Sequence, residues 1–191
     1  MLIPTTVGLA YGAPGVTGAF GVSCLLTAFA GGVLIMVTRG AESTAWKREN
    51  LAAVIGTWLI LPLFAALPLY FATSLGWVGA VFESVSGLTT TGATALPSVN
   101  NVSPAVLLWR AMLQWFGGVA TVVFVIVHLA HLGVGGMQLY RSSILHGEQD
   151  PLLTRLAETG AAVAIIFAIL AVACFLALLM AGIPAFDALT H

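Results

Sequence analysis

Four apolar runs set the limits on what this chain can fold into. They lie at about residues 16–37, 51–73, 104–136 and 158–182, and each is long enough for a helix to cross a bilayer, which takes about 20 residues. In lipid every backbone donor and acceptor must be paired within the protein, so single spans of this kind are helices. The expected fold class is therefore an all-α membrane protein. Only 7% of the residues are charged and 60% are hydrophobic, against about 25% charged in a soluble domain, so lipid must be most of the solvent. A net charge of -1 gives no ground for a nucleic-acid partner.

Orientation follows from the basic residues. Arg39, Lys47 and Arg48 fall in the 38–50 linker and Arg141 and Arg155 in the 137–157 linker, whereas the 74–103 connection has neither lysine nor arginine. The bias of basic residues towards the cytoplasm puts the first two linkers inside and 74–103 outside, which alternates consistently with four spans. Glu42, Glu49, Glu148 and Asp150 share the inner linkers and weigh little in that rule. Residues 1–11 are apolar but too short to span, and Gly12-Ala13-Pro14-Gly15 ends them as a turn. They read as the tail of a helix whose beginning lies upstream. Met1-Leu2-Ile3-Pro4 lacks a basic leader region, so no cleaved signal peptide is expected.

The 74–103 connection breaks the pattern. Trp77 suits an interface anchor, and Val78 through Leu88 would make a helix of two or three turns, too short to cross. Thr89-Thr90-Thr91-Gly92-Ala93-Thr94 and then Ala95-Leu96-Pro97 follow. A half-helix leading into Thr/Gly-rich chain predicts a re-entrant hairpin over 78–97. Irregular backbone at membrane depth is tolerated only where it lines a watery cavity or is buried in protein. The segment Phe82-Glu83-Ser84-Val85-Ser86 is echoed by Phe186-Asp187-Ala188-Leu189-Thr190, each placed just beyond the outer end of a span. This echo points to a repeated span–loop–span unit.

Such a hairpin can serve a cation. An ion leaves water only when oxygens replace its hydration shell, and rings of backbone carbonyls do this in ion filters. Thr91-Gly92 suits that role, because glycine accepts the dihedrals needed to turn carbonyls inward. The hydroxyls of Thr89, Thr90, Thr91 and Thr94 would brace the loop or add oxygens. The half-helix would aim the negative end of its dipole at the path centre. The plainer reading is a Thr/Gly turn that only reverses the chain. Glu83, placed near the half-helix N-terminus, and Arg110, early in the 104–136 helix, are expected to interact and hold the hairpin, since charges near membrane depth pair or face protein. Two independent interface residues are the alternative.

Other features carry less. His128 and His131 share a helix face, but a metal site needs further ligands and Met137 is a poor one for zinc, so packing or mouth-facing roles are expected. Gly117-Gly118 and Gly133-Val134-Gly135-Gly136 would permit close helix approach or bending. The latter lacks the strand and lysine of a phosphate loop. Cys24 and Cys174 lie in apolar runs and read as packing residues rather than a disulfide. Ser84-Val85-Ser86-Gly87 lacks the glycine two residues before a nucleophilic serine, which argues against an intramembrane hydrolase. A structural or scaffold subunit remains the second class.

Taken together, three runs resemble the TrkH family, the membrane subunits of bacterial Trk potassium uptake systems within the Trk/Ktr/HKT superfamily. They are Phe82 through Thr94, Leu107-Leu108-Trp109-Arg110-Ala111-Met112-Leu113-Gln114-Trp115-Phe116-Gly117-Gly118, and Leu132 through Arg141. Arg155-Leu156-Ala157-Glu158-Thr159 and Ala185-Phe186-Asp187-Ala188 also fit. The resemblance implies helix–half-helix–helix repeats of the potassium-channel type around one pore, preceded by a helix hairpin. Residues 1–37 would be the remnant of that hairpin, 38–50 a cytoplasmic linker, 51–136 the first pore repeat, 137–157 a second cytoplasmic linker, and 158–191 the truncated start of the second repeat. It implies potassium as transported substrate, with Thr90, Thr91 and Gly92 as filter positions, Thr91 and Gly92 foremost. Thr89, Ala93, Thr94, Glu83 and Arg110 would support them. It further implies a multi-pass protein of the bacterial cytoplasmic (inner) membrane, a homodimer, and a cytoplasmic nucleotide-binding regulatory subunit of the TrkA type, with no enzyme activity and no cofactor besides the transported ion. The inner linkers could face that subunit. His128 and His131 depart from the aliphatic residues such proteins would carry there. The remaining repeats are outside these residues, so a nonfunctional fragment stands as an alternative to a working translocator.

Overall fold

The structure is a computed structural model that describes residues 1–39, 47–98, 102–132 and 151–190. Among the described residues all regular structure is helical: α1 (Leu2–Ala10), α2 (Pro14–Thr38), α3 (Lys47–Ala72), α4 (Trp77–Leu88), α5 (Pro104–Leu132), α6 (Pro151–Met180) and α7 (Ala185–Thr190). Four of them, α2, α3, α5 and α6, contain stretches long and apolar enough to cross a membrane. They overlap the four apolar runs of the sequence, of which residues 133–136 lie outside the described residues. Of residues 1–11, expected to be helical, Leu2–Ala10 form α1.

The chain divides into two compact units, Met1–Leu113 and Gln114–His191. In the first, α1 turns back on α2 at Gly12, whose φ of 63° is left-handed, and Pro14 starts α2 where its missing N–H costs nothing. Gly8 lets the two helices touch, because a Cβ there would sit 2.8 Å from Thr17 Oγ1. α3 and α4 pack on this pair around a core of Phe20, Ala65, Ala66, Leu69, Ala80, Leu88, Ala105, Val106, Trp109 and Leu113. Small residues let backbones approach in lipid, where packing rather than water exclusion drives association. Pro62 and Pro68 interrupt the donor ladder of α3, and the nearby Ala65 carbonyl accepts the Trp109 indole N–H at 3.0 Å. The Trp109 ring meets Phe20 edge-on at 6.0 Å. Tyr70, Phe71 and Trp77 form an aromatic cluster where α3 ends and α4 begins, a composition suited to a membrane interface.

In the second unit Gly118 of α5 faces α6, and a Cβ there would lie 2.8 Å from Phe167 Cε1. α6 ends at Gly182, with φ 85°, and after Pro184 the short α7 carries Phe186 and Asp187. His128 and His131 fall on α5, but their side chains, like Gly133–Gly136, lie outside the described residues. Cys24 and Cys174 are free thiols.

Candidate functional site

α4 is the half-helix, and it is buried on one side by Ala80, Glu83, Ser84, Ser86, Gly87 and Leu88. Gly87 is needed for that burial, since a Cβ would lie 2.9 Å from Leu113 Cβ. The helix closes with two bonds: Thr91 N–H to the Ser86 carbonyl at 2.9 Å and Thr90 N–H to the Gly87 carbonyl at 3.0 Å. This pair defines a Schellman cap, which places one residue in the left-handed region. That residue is Thr90, with φ 56°, and it is the only non-glycine residue with positive φ among the described residues. A β-branched residue there is strained. Gly92 follows with φ 74°.

The hairpin then runs exposed through Thr89, Thr90, Thr91 and Gly92, with Leu96 returning to the interior. Its hydroxyls take different parts. Thr89 Oγ1 donates to the Val85 carbonyl at 2.8 Å and pairs with Thr91 Oγ1 at 2.8 Å. Ser86 Oγ donates to the Ala93 carbonyl at 2.7 Å. Thr94 Oγ1 donates to Glu83 Oε1 and accepts the Leu96 N–H at 3.1 Å. Among the described residues no protein donor takes up the Thr90 side chain, nor the carbonyls of Thr90, Thr91 or Gly92.

Glu83 holds the far arm. Glu83 is 1% exposed, and its Oε1 accepts both the Thr94 hydroxyl and the Ala95 N–H at 2.5 Å. Arg110 Nε donates to its other oxygen at 2.7 Å. Glu83, expected near the half-helix N-terminus, lies midway along α4, so these three donors rather than the helix dipole stabilise its charge. A carboxylate taken out of water needs such partners. The remaining expected residues fall on this hairpin: Thr89, Thr90, Thr91, Gly92, Ala93 and Thr94 all follow α4 directly. Sequence reasoning gave no role to Ser86 in the hairpin. Of the two serines in the hydrolase-like run, Ser84 Oγ is buried and has no hydrogen-bond partner among the described residues.

Against known proteins, the family described as a cation transport protein, TrkH, matches residues 19–189. The chain belongs to the TrkH family. A protein of Salmonella typhimurium named "Trk system potassium uptake protein TrkH" is 41% identical over all of this chain and 40% of its own length. The Escherichia coli protein of that name has the same identity and coverage. A solved structure titled as the potassium transporter TrkH from Vibrio parahaemolyticus superposes with a TM-score of 0.83 at 32% identity, covering all of this chain and 38% of that one. The chain thus spans about two fifths of the length of the TrkH proteins it matches.

Proposed function

We propose that this chain supplies the first re-entrant filter of a potassium uptake protein, with the carbonyls of Thr90, Thr91 and Gly92 as its contribution to a ring of cation ligands. The observation that carries the reading is the hairpin itself. Left-handed residues at 90 and 92 break the alternation of an ordinary extended strand, in which successive carbonyls point to opposite sides. The carbonyls of 90–92 carry no protein donor among the described residues, on a backbone held from behind by α4, Glu83 and Arg110. Carbonyls left free in this way can replace the water of a weakly hydrated cation. The names of the relatives, potassium uptake proteins, support potassium as that cation.

On this reading residues 51–136 are the first pore repeat and 158–191 begin the second, where Asp187 falls in the first turn of α7. Residues 1–37 belong to a preceding helix hairpin. The linkers 38–50 and 137–157 face the cytoplasm of a bacterial inner membrane. The full-length protein forms a homodimer and is regulated by a TrkA-type nucleotide-binding subunit. Expression of the full-length protein in a bacterium lacking potassium uptake tests the reading. Growth restored at limiting potassium is expected, and no rescue despite normal membrane abundance would overturn it.

A further inference from the structure

Serine and threonine side chains inside helices usually turn back to the carbonyl four residues earlier. Ser23 and Thr27 of α2 do so here, onto Ala19 and Ser23 at 2.7 and 2.8 Å, as do Thr73 and Thr89 just past the ends of α3 and α4, onto Leu69 and Val85 at 2.6 and 2.8 Å. Ser86 does not. Its hydroxyl reaches seven residues forward to the Ala93 carbonyl at 2.7 Å, from a position only 5% exposed. Its own carbonyl meanwhile accepts the Thr91 N–H at 2.9 Å and lies 3.5 Å from the Gly92 nitrogen. One residue of α4 therefore grips both arms of the hairpin: the near arm by its backbone, the far arm by its side chain.

The second grip has a chemical consequence. Ala93 follows directly on the carbonyls of Thr90, Thr91 and Gly92, yet its own oxygen is occupied by a protein donor. An oxygen that accepts a short hydroxyl bond has less charge to offer an ion, and it cannot swing towards one without losing that bond. We infer that Ser86 is a positioning residue that sets where the filter ends: by holding the Ala93 carbonyl it confines the chain's cation ligands to Thr90, Thr91 and Gly92. The inference rests on the reading of those three as ligands. Selectivity depends on the number and field strength of the coordinating carbonyls, so a released Ala93 oxygen alters discrimination between cations before it alters folding.

The test uses the full-length protein in an uptake-deficient bacterium, reading potassium uptake against competing sodium, with membrane abundance measured alongside. Ser86→Ala removes the donor, Ser86→Cys keeps the volume with a far weaker one, and Ser86→Thr keeps the hydroxyl. Gly92→Ser is the benchmark for the filter itself. Ser86→Ala and Ser86→Cys are expected to lower potassium-over-sodium discrimination at least about threefold, the scale of one lost hydrogen bond, and Ser86→Thr to restore it. Where Ser86→Ala fails to reach the membrane, Ser86→Cys decides. Unchanged discrimination in Ser86→Cys, with Gly92→Ser impaired, overturns the inference and leaves the filter standing. Unchanged discrimination in Gly92→Ser as well removes the filter reading, and the role of Ser86 with it.

Discussion

The ends of α4 and α6 are closed by the same hydrogen bonds and lead to different outcomes. At α6, Ile183 N–H reaches the Leu178 carbonyl at 3.1 Å and Gly182 N–H the Leu179 carbonyl at 3.0 Å. At α4, Thr91 and Thr90 make the corresponding bonds to Ser86 and Gly87 at 2.9 and 3.0 Å. The left-handed residue is Gly182 in one and Thr90 in the other, with φ of 85° and 56°. The α1 end repeats the glycine form at Gly12. Glycine occupies this position without steric cost, whereas a side chain there costs about 1–2 kcal/mol. Where the chain only needs to turn it uses glycine; where it builds the candidate filter it accepts strain. Strain persists only where the surroundings over-determine it, and at α4 the surroundings are Ser86, Glu83 and Arg110.

That contrast can be broken most forcefully at Glu83. Glu83→Ala leaves Arg110 without its carboxylate and frees Thr94 and the Ala95 N–H, so a loss of about 3–5 kcal/mol in unfolding from mixed micelles is expected. Arg110→Gln strands the buried carboxylate and should fall in the same range; stability and potassium selectivity both unchanged would show that the pair does not hold the hairpin. Next in size, Gly182→Thr gives α6 the residue that α4 tolerates, without the supporting network. A loss of about 1–2 kcal/mol by the same measurement is expected, and a neutral result would mean that threonine is not strained in this cap. The smallest effect is Thr90→Gly. Relief of strain, offset by the flexibility of glycine, leaves a gain below about 1 kcal/mol. A clear loss of stability would show that the Thr90 side chain contributes packing rather than strain.

Much of this arrangement is legible in the sequence, for identifiable reasons. Length and apolar character define the spans, because lipid admits few alternatives. The half-helix is legible from Val78–Leu88 and the polar hairpin after it, and Glu83 and Arg110 from the scarcity of charge around them. Three features are not legible. The left-handed φ of Thr90 runs against the preference of its residue type, so no local signal marks it. The forward reach of Ser86 depends on where the hairpin returns, a tertiary fact. The surroundings of Glu83 are the third: it sits mid-helix in α4, and its partners lie beyond the hairpin and on α5 rather than at the helix start.

The central claim is that the backbone of Thr90 to Gly92 coordinates potassium. Gly92, at φ 74°, is where a side chain must disturb that backbone most, since left-handed geometry strains any L residue. The direct measurement is the ratio of potassium to sodium uptake by the full-length protein carrying Gly92→Ser, at matched membrane abundance. The ratio is expected to collapse while sodium uptake rises or holds. A ratio equal to that of the unsubstituted protein would contradict the claim.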